Sequence, residues 1–165
     1  MKGTTPFLWF DDQAEEATRF YTSLFPNSKI VDVTHHGEAF PGKEGTVMTV
    51  DFELDGQEFV ALNGGPQYHF TEAVSFVVNC ETQDEVDEFW EKLSEGGEQG
   101  PCGWLKDKYG LSWQVVPTVL GELIRNSDPA KSNRVMAAML QMGKIEIEPL
   151  RRAYEGSEQP SPSRA

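Results

Sequence analysis

The sequence predicts an α+β fold: two copies of a βαβββ unit, then a helical extension. Three observations carry this. First, a strand, an acidic cap and an amphipathic helix follow one another twice. Laying Phe20 on Phe89, a shift of 69 positions, brings Phe7 to Phe76, Asp12 to Glu81, Glu16 to Glu85, Tyr21 to Trp90 and Leu24 to Leu93. A repeat of that kind decides the architecture. Second, both halves continue into short alternating segments separated by turn residues, which is strand patterning. Third, after Pro117 the apolar spacing turns helical.

The elements follow in order. Pro6-Phe7-Leu8-Trp9-Phe10 is a short aromatic strand stopped by two aspartates. Asp12 serves as a helix N-cap with Glu15 and Glu16 in the first turn, where they favour the helix dipole. Ala14, Ala17, Phe20, Tyr21 and Leu24 recur at helical spacing until Phe25-Pro26-Asn27. Strands are expected over 28–34 and 46–54, the second with Met48, Val50, Phe52 and Leu54 on one face. Asp55-Gly56 turns the chain into a return strand over 58–62, and Asn63-Gly64-Gly65-Pro66 closes the half. The second half offers a strand over 74–78, a helix over 82–93 capped by Thr82, strand material over 98–106 interrupted by Gly100, Pro101 and Gly103, and a last strand over 111–116. Helices are then expected around Val119–Ile124, from Asp128-Pro129 through Met142, and over 146–154 with a stop at Gly156. The resulting organisation is one domain over 1–155, with units of about 5–66 and 73–117, an extension over 118–155, and a disordered tail over 156–165 rich in Gly, Ser, Pro and Gln.

Composition narrows the function classes. The formal charge is −13, from 27 acidic and 14 basic residues. Such a field repels phosphate backbones, so neither nucleic acid nor an anionic membrane is an expected partner. No apolar run reaches the roughly 20 residues that span a bilayer, and the start shows no secretion signal, so a cytoplasmic location is expected. Cys80 and Cys102 are the only cysteines, and they read as reduced, inert thiols.

Pro6 to Asp12, Glu15-Glu16-Ala17 and Phe20-Tyr21-Thr22-Ser23-Leu24-Phe25-Pro26-Asn27-Ser28 resemble the PhnB-like family of the vicinal-oxygen-chelate (glyoxalase/bleomycin-resistance/extradiol dioxygenase) superfamily. So do Leu62-Asn63-Gly64-Gly65-Pro66, Glu85-Val86-Asp87, Trp90-Glu91-Lys92-Leu93 and Tyr109-Gly110-Leu111-Ser112-Trp113-Gln114. The resemblance runs from Thr5 to about Tyr154. It implies curved mixed sheets around an open cavity, a homodimer, and a family label of 3-demethylubiquinone-9 3-methyltransferase-like. In metal-using members it places one ligand on the first and one on the last strand of each unit. Here those positions hold Thr5, Pro6 or Phe7; Ala73, Val74 or Ser75; and Val60, Ala61 or Leu62. Only Gln114 offers an oxygen, and one neutral ligand does not hold a divalent cation against water. No metal and no cofactor are therefore expected.

Other candidate groups read as structural. His35-His36 point to opposite sides of a strand, which disfavours joint chelation, and an exposed or edge role is expected. His69 lies in a loop. Met136, Met139 and Met142 have helical spacing, which suits a core or a dimer contact. Asn63-Gly64-Gly65-Pro66 does not open a helix, as a nucleotide or S-adenosylmethionine loop would. What remains is a small-molecule cavity with Trp9, Trp104 and Trp113 as aromatic walls and Asn63, Ser75 and Gln114 as polar contacts. The leading expectation is a binding protein or enzyme acting on a small organic molecule without its own metal. A metal-dependent lyase, isomerase or dioxygenase, a methyltransferase, and an assembly module using the C-terminal helices stand as alternatives.

Overall fold

The computed structural model describes residues 3–125 and 128–156. Nine residues of the expected tail, 157–165, lie outside that range. The chain divides into two compact units with a boundary between Phe70 and Thr71. The first contains β1 (Phe7–Phe10), α1 (Ala14–Leu24), β2 (Lys29–His35), β3 (Val47–Leu54) and β4 (Gln57–Asn63). The second contains β5 (Phe76–Cys80), α2 (Gln83–Ser94), β6 (Glu98–Gln99), β7 (Trp104–Lys106) and β8 (Ser112–Pro117), then α3 (Thr118–Ile124), α4 (Pro129–Met139) and α5 (Ile147–Glu155). Each unit is thus a βαβββ repeat, and the extension belongs to the second.

The sheets have matching topology, β1-β4-β3-β2 and β5-β8-β7-β6. In each, the first strand runs parallel to the last and the other pairs are antiparallel. Strand alternation gives the first sheet a helix-covered face of Leu8, Phe10, Val50, Phe52, Leu54, Phe59 and Ala61, all buried. Against it α1 presents Ala14, Ala17, Thr18 and Tyr21, with Tyr21 stacked on Phe52 at 6.4 Å. The opposite face carries Phe7, Trp9, Val60 and Leu62 in register.

α1 is not capped by Asp12. Its N-cap is Gln13, whose side chain makes no capping bond. Asn63, at the end of β4, supplies it instead: Oδ1 accepts the Ala14 N–H at 2.8 Å, while Nδ2 donates to the Val47 carbonyl at 3.1 Å. A helix's orphan N–H groups need some partner, and a side chain from a neighbouring strand serves as well as a local one. In the second unit Thr82 caps α2 as expected. Its hydroxyl accepts the Glu85 N–H in a full capping box.

The strand ahead of α2 begins two residues later than the sequence suggests, because Val74 lies outside the sheet and is 66% exposed. A related correction concerns the repeat. The helices keep the shift that lays Tyr21 on Trp90, but the strands do not. Buried Leu8 and Phe10 correspond to buried Val78 and Cys80, so Phe7 matches Val77 and not Phe76. Three residues separate β1 from α1 and two separate β5 from α2. That one-residue difference flips every strand side chain relative to an ungapped alignment.

In the second unit the helix-covered face holds Val78, Cys80, Leu105, Trp113 and Val115, packed with Val86, Trp90 and Leu93 of α2. The extension has its own core of Leu120, Val135, Ile145 and Leu150, flanked by Val116, Leu123, Met139, Met142 and Tyr154. Asp128 caps α4 and Gly156 ends α5 in the left-handed conformation, both as expected. Gln83 clasps the extension to α2: its amide donates to the Ile145 carbonyl at 3.2 Å and accepts the Ile147 N–H at 2.8 Å. Among the described residues, no helix is long and apolar enough to cross a membrane.

Candidate functional site

The face of the second sheet that turns away from α2 carries the candidate site. In register, Lys106 lies opposite Ser112 and Trp104 opposite Gln114, and Val77 pairs with Gln114 on the other side. The Gln114 amide donates to Ser75 Oγ at 2.9 Å. The face thus combines an indole, an amide, two hydroxyls and an ammonium. A pocket of about 450 Å³ opens on it, lined by Glu72, Glu98, Gln99, Pro101, Trp104, Lys106 and Ser112 among others. Its size and its mostly apolar wall with a few polar groups suit a small organic molecule.

Two groups define its electrostatics. Lys106 pairs with Glu72 and lies 4.0 Å from Glu98. The hydrogen bond from Lys106 holds the Glu72 carboxyl below its ordinary range, and the same bond raises the Lys106 ammonium above its own. Ser112 is 1% exposed, and its hydroxyl has no hydrogen-bond partner among the described residues.

The wall formed by the β6–β7 connection is fixed from behind. The Cys102 N–H donates to the Met142 carbonyl at 2.8 Å and the Gly103 N–H to the Gly143 carbonyl at 2.7 Å. Gly103 has φ +82°, and a Cβ there would meet the Val115 carbonyl oxygen at 2.7 Å, so only glycine fits.

The six residues proposed from sequence separate into three groups. Ser75, Trp104 and Gln114 share the open face of the second sheet. Trp113 does not join them: it is 3% exposed on the helix-covered side, and its Nε1 donates to Asp107 Oδ2 at 2.9 Å. Strand parity, unknown from the sequence, decides this, since Trp113 pairs with Leu105 and Phe76. Trp9 and Asn63 lie in the first unit. Both ends of the Asn63 amide are bound to backbone, and Trp9 is seated in the loop that follows. Its Nε1 donates to the Gly65 carbonyl at 2.8 Å, Tyr68 meets it edge-on at 5.0 Å, and a Cβ on Gly64 would lie 2.2 Å from the ring. Sequence reasoning missed Lys106, Ser112 and Glu72. A lysine beside a Trp-Leu strand and a serine before Trp113 carry no spacing signal of their own.

Chemistry needing a metal or S-adenosylmethionine can be tested against these residues. Gly64 N–H donates to the Phe10 carbonyl and Gly65 N–H to the Asp11 carbonyl, so this glycine pair has no amides left to cradle an anion. Asp32 and Asp51 stand opposite one another in the first sheet. Yet among the described residues no group of three or more His, Cys, Asp or Glu side chains is placed to hold a metal ion. His36, expected in an exposed or edge role, follows the edge strand β2 but is buried. It is 7% exposed, with Nδ1 3.1 Å from Thr46 Oγ1 and its ring edge-on to Phe40.

Comparison with known proteins places the chain. A family model described as 3-demethylubiquinone-9 3-methyltransferase matches residues 2–116. A PhnB protein from Bacillus cereus, carrying the same methyltransferase description, is 42% identical over 71% of this chain and 100% of its own, with a TM-score of 0.64. Protein PA1353 from Pseudomonas aeruginosa is 17% identical over 71% of this chain and 98% of its own, TM-score 0.61. The fosfomycin resistance protein FosX from Listeria monocytogenes is 16% identical over 76% and 99%, TM-score 0.55. These last two are likenesses of fold alone. No curated protein matches. The family match ends at residue 116, short of the Tyr154 to which the sequence resemblance was expected to run, so α3–α5 fall outside it. The chain belongs to the PhnB-like family, described as 3-demethylubiquinone-9 3-methyltransferase.

Proposed function

We propose that this protein binds a small organic molecule on the open face of its second sheet, in the pocket bounded by Trp104, Pro101, Lys106 and Ser112, without a metal or S-adenosylmethionine of its own. The observation that carries the reading is the pocket itself: an indole and a proline for an apolar body, with a few polar groups on adjacent strand positions. Gln114 and Ser75 extend the same face. The metal-free part rests on the first and last strands of each unit, where Phe7 pairs with Val60 and Val77 with Gln114, with no histidine or carboxylate among the four. The spent amides of Gly64 and Gly65 speak against the methyltransferase reading of the family label. A homodimer is proposed from the family alone, because the apolar side chains of α3–α5 that suggested a partner contact are largely taken up by their own core.

The test is a thermal-shift screen of metabolites with and without a chelator, together with elemental analysis of the purified protein. Stabilising compounds should act equally in both conditions and should lose their effect in Trp104→Ala. One equivalent of transition metal per chain, or stabilisation only by S-adenosylmethionine, would overturn the proposal.

A further inference from the structure

The pocket contains one polar group that the fold leaves unanswered. Ser112 is almost wholly buried, lines the pocket, and has no hydrogen-bond partner for its hydroxyl among the described residues. A buried hydroxyl without a partner is destabilising, and most such groups in folded proteins are satisfied. A group of this kind facing a pocket marks where an atom of a bound molecule belongs. Directly opposite, on β7, stands Lys106. Side chains facing one another across an antiparallel pair lie close enough to act on one group. An ammonium and a hydroxyl so placed are two donors, and a carboxylate has two acceptor oxygens to answer them.

A carboxylate is already there. Glu72 pairs with Lys106, and it comes from the connection before β5, not from the sheet. Its side chain is 61% exposed. Exposed ion pairs contribute little, so Glu72 is held at the donors weakly and leaves them easily. It also satisfies Lys106 without satisfying Ser112, so half of the donor set stays unused.

Resting on the pocket reading above, we infer that Glu72 stands in for the carboxylate of the molecule this site takes: a flat or aromatic monocarboxylate. The ligand displaces Glu72 from Lys106, sets its second oxygen on the Ser112 hydroxyl, and lays its apolar body against Trp104 and Pro101. The exchange keeps Lys106 paired with one carboxylate throughout, and the displaced Glu72, already largely exposed, carries its charge out into solvent. Glu98, 4.0 Å from Lys106, stays at the rim.

The experiment compares phenylacetate, phenylacetamide and phenethylamine on the full chain, reading the Trp104 indole N–H by NMR. Phenylacetate should bind most tightly of the three. Glu72→Gln should tighten its binding about fivefold, since removing an internal competitor raises the fraction of open sites. Lys106→Met should weaken it by about tenfold or more, and Ser112→Ala several-fold. Tighter binding of the amine or the amide, or weakened phenylacetate binding in Glu72→Gln, would overturn the carboxylate class and leave the pocket standing. If none of the three moves the Trp104 signal at millimolar concentration, and screening hits map elsewhere, the pocket reading falls and this inference with it.

Discussion

Asp107 is 3% exposed and ties a whole turn together. Its Oδ1 accepts the N–H groups of Tyr109 and Leu111, and its Oδ2 accepts the indole of Trp113. Truncating it would remove the acceptor of three donors, two of them buried and each worth about 1–3 kcal/mol unsatisfied. Asp107→Ala should therefore lower the unfolding free energy by about 3 kcal/mol or more in urea titrations, with Asp107→Asn intermediate. Cys80 makes the opposite point, since burial pushes its thiol up to about 12 and leaves it inert. In the unfolded chain the thiol ionises near 9.0, whereas the native chain keeps its proton. Stability should then fall as pH rises through the window from about 9 to about 12. Cys80→Ala should flatten that alkaline decline relative to the parent, and iodoacetamide at neutral pH should leave Cys80 of the folded protein unmodified. Little at this scale was legible in the sequence. Asp107 sits in a turn that reads as ordinary, and the six-residue gap to Trp113 has no periodic signature.

At the scale of elements the sequence was far more informative, because periodicity and capping are local. Thr82 with Glu85, Asp128 with Pro129, and Gly156 each mark a helix end by chemistry confined to one turn. The failure at Asp12 has the converse cause, since the cap of α1 comes from Asn63, brought there only by the parallel pairing of β1 with β4. The docking of the extension is equally non-local. Gln83 holds both a carbonyl and an N–H of the α5 approach, and Lys144 reaches Asp87 at 2.5 Å. That contact, with the hydrogen bond that the Gln83 amide donates to Asp87 Oδ1 at 2.9 Å, keeps the Asp87 carboxyl below its usual range. Gln83→Ala should loosen this attachment by about 1–3 kcal/mol. Amide hydrogen exchange should read it as faster exchange at 145–147, with the strands of the first sheet unaffected. Because Met142 and Gly143 hold the Cys102–Gly103 segment, protection there should fall too.

Across the whole molecule, duplication explains both what the sequence reveals and what it hides. The order of elements survives in both units, so the architecture could be read directly. The faces of the strands could not, because a one-residue difference between the two strand–helix connections inverts them. Trp113 accordingly went to the core and Trp104 to the open face, although both looked alike in the sequence. The polar groups of the pocket escaped for the same reason: Lys106 and Ser112 become neighbours only through the pairing of β7 with β8. The extension adds a third lesson, since a family match that ends at residue 116 leaves α3–α5 as equipment of this chain, braced against one wall of the pocket.

The most direct test of the central claim is an amide and indole NMR titration of chelator-treated protein with the compounds that stabilise it. The account predicts shifts concentrated at Trp104, Lys106, Ser112 and Gln114, with the same affinity whether or not divalent metal is added. Shifts confined to other regions of the chain, or binding that appears only when metal is restored, would contradict it.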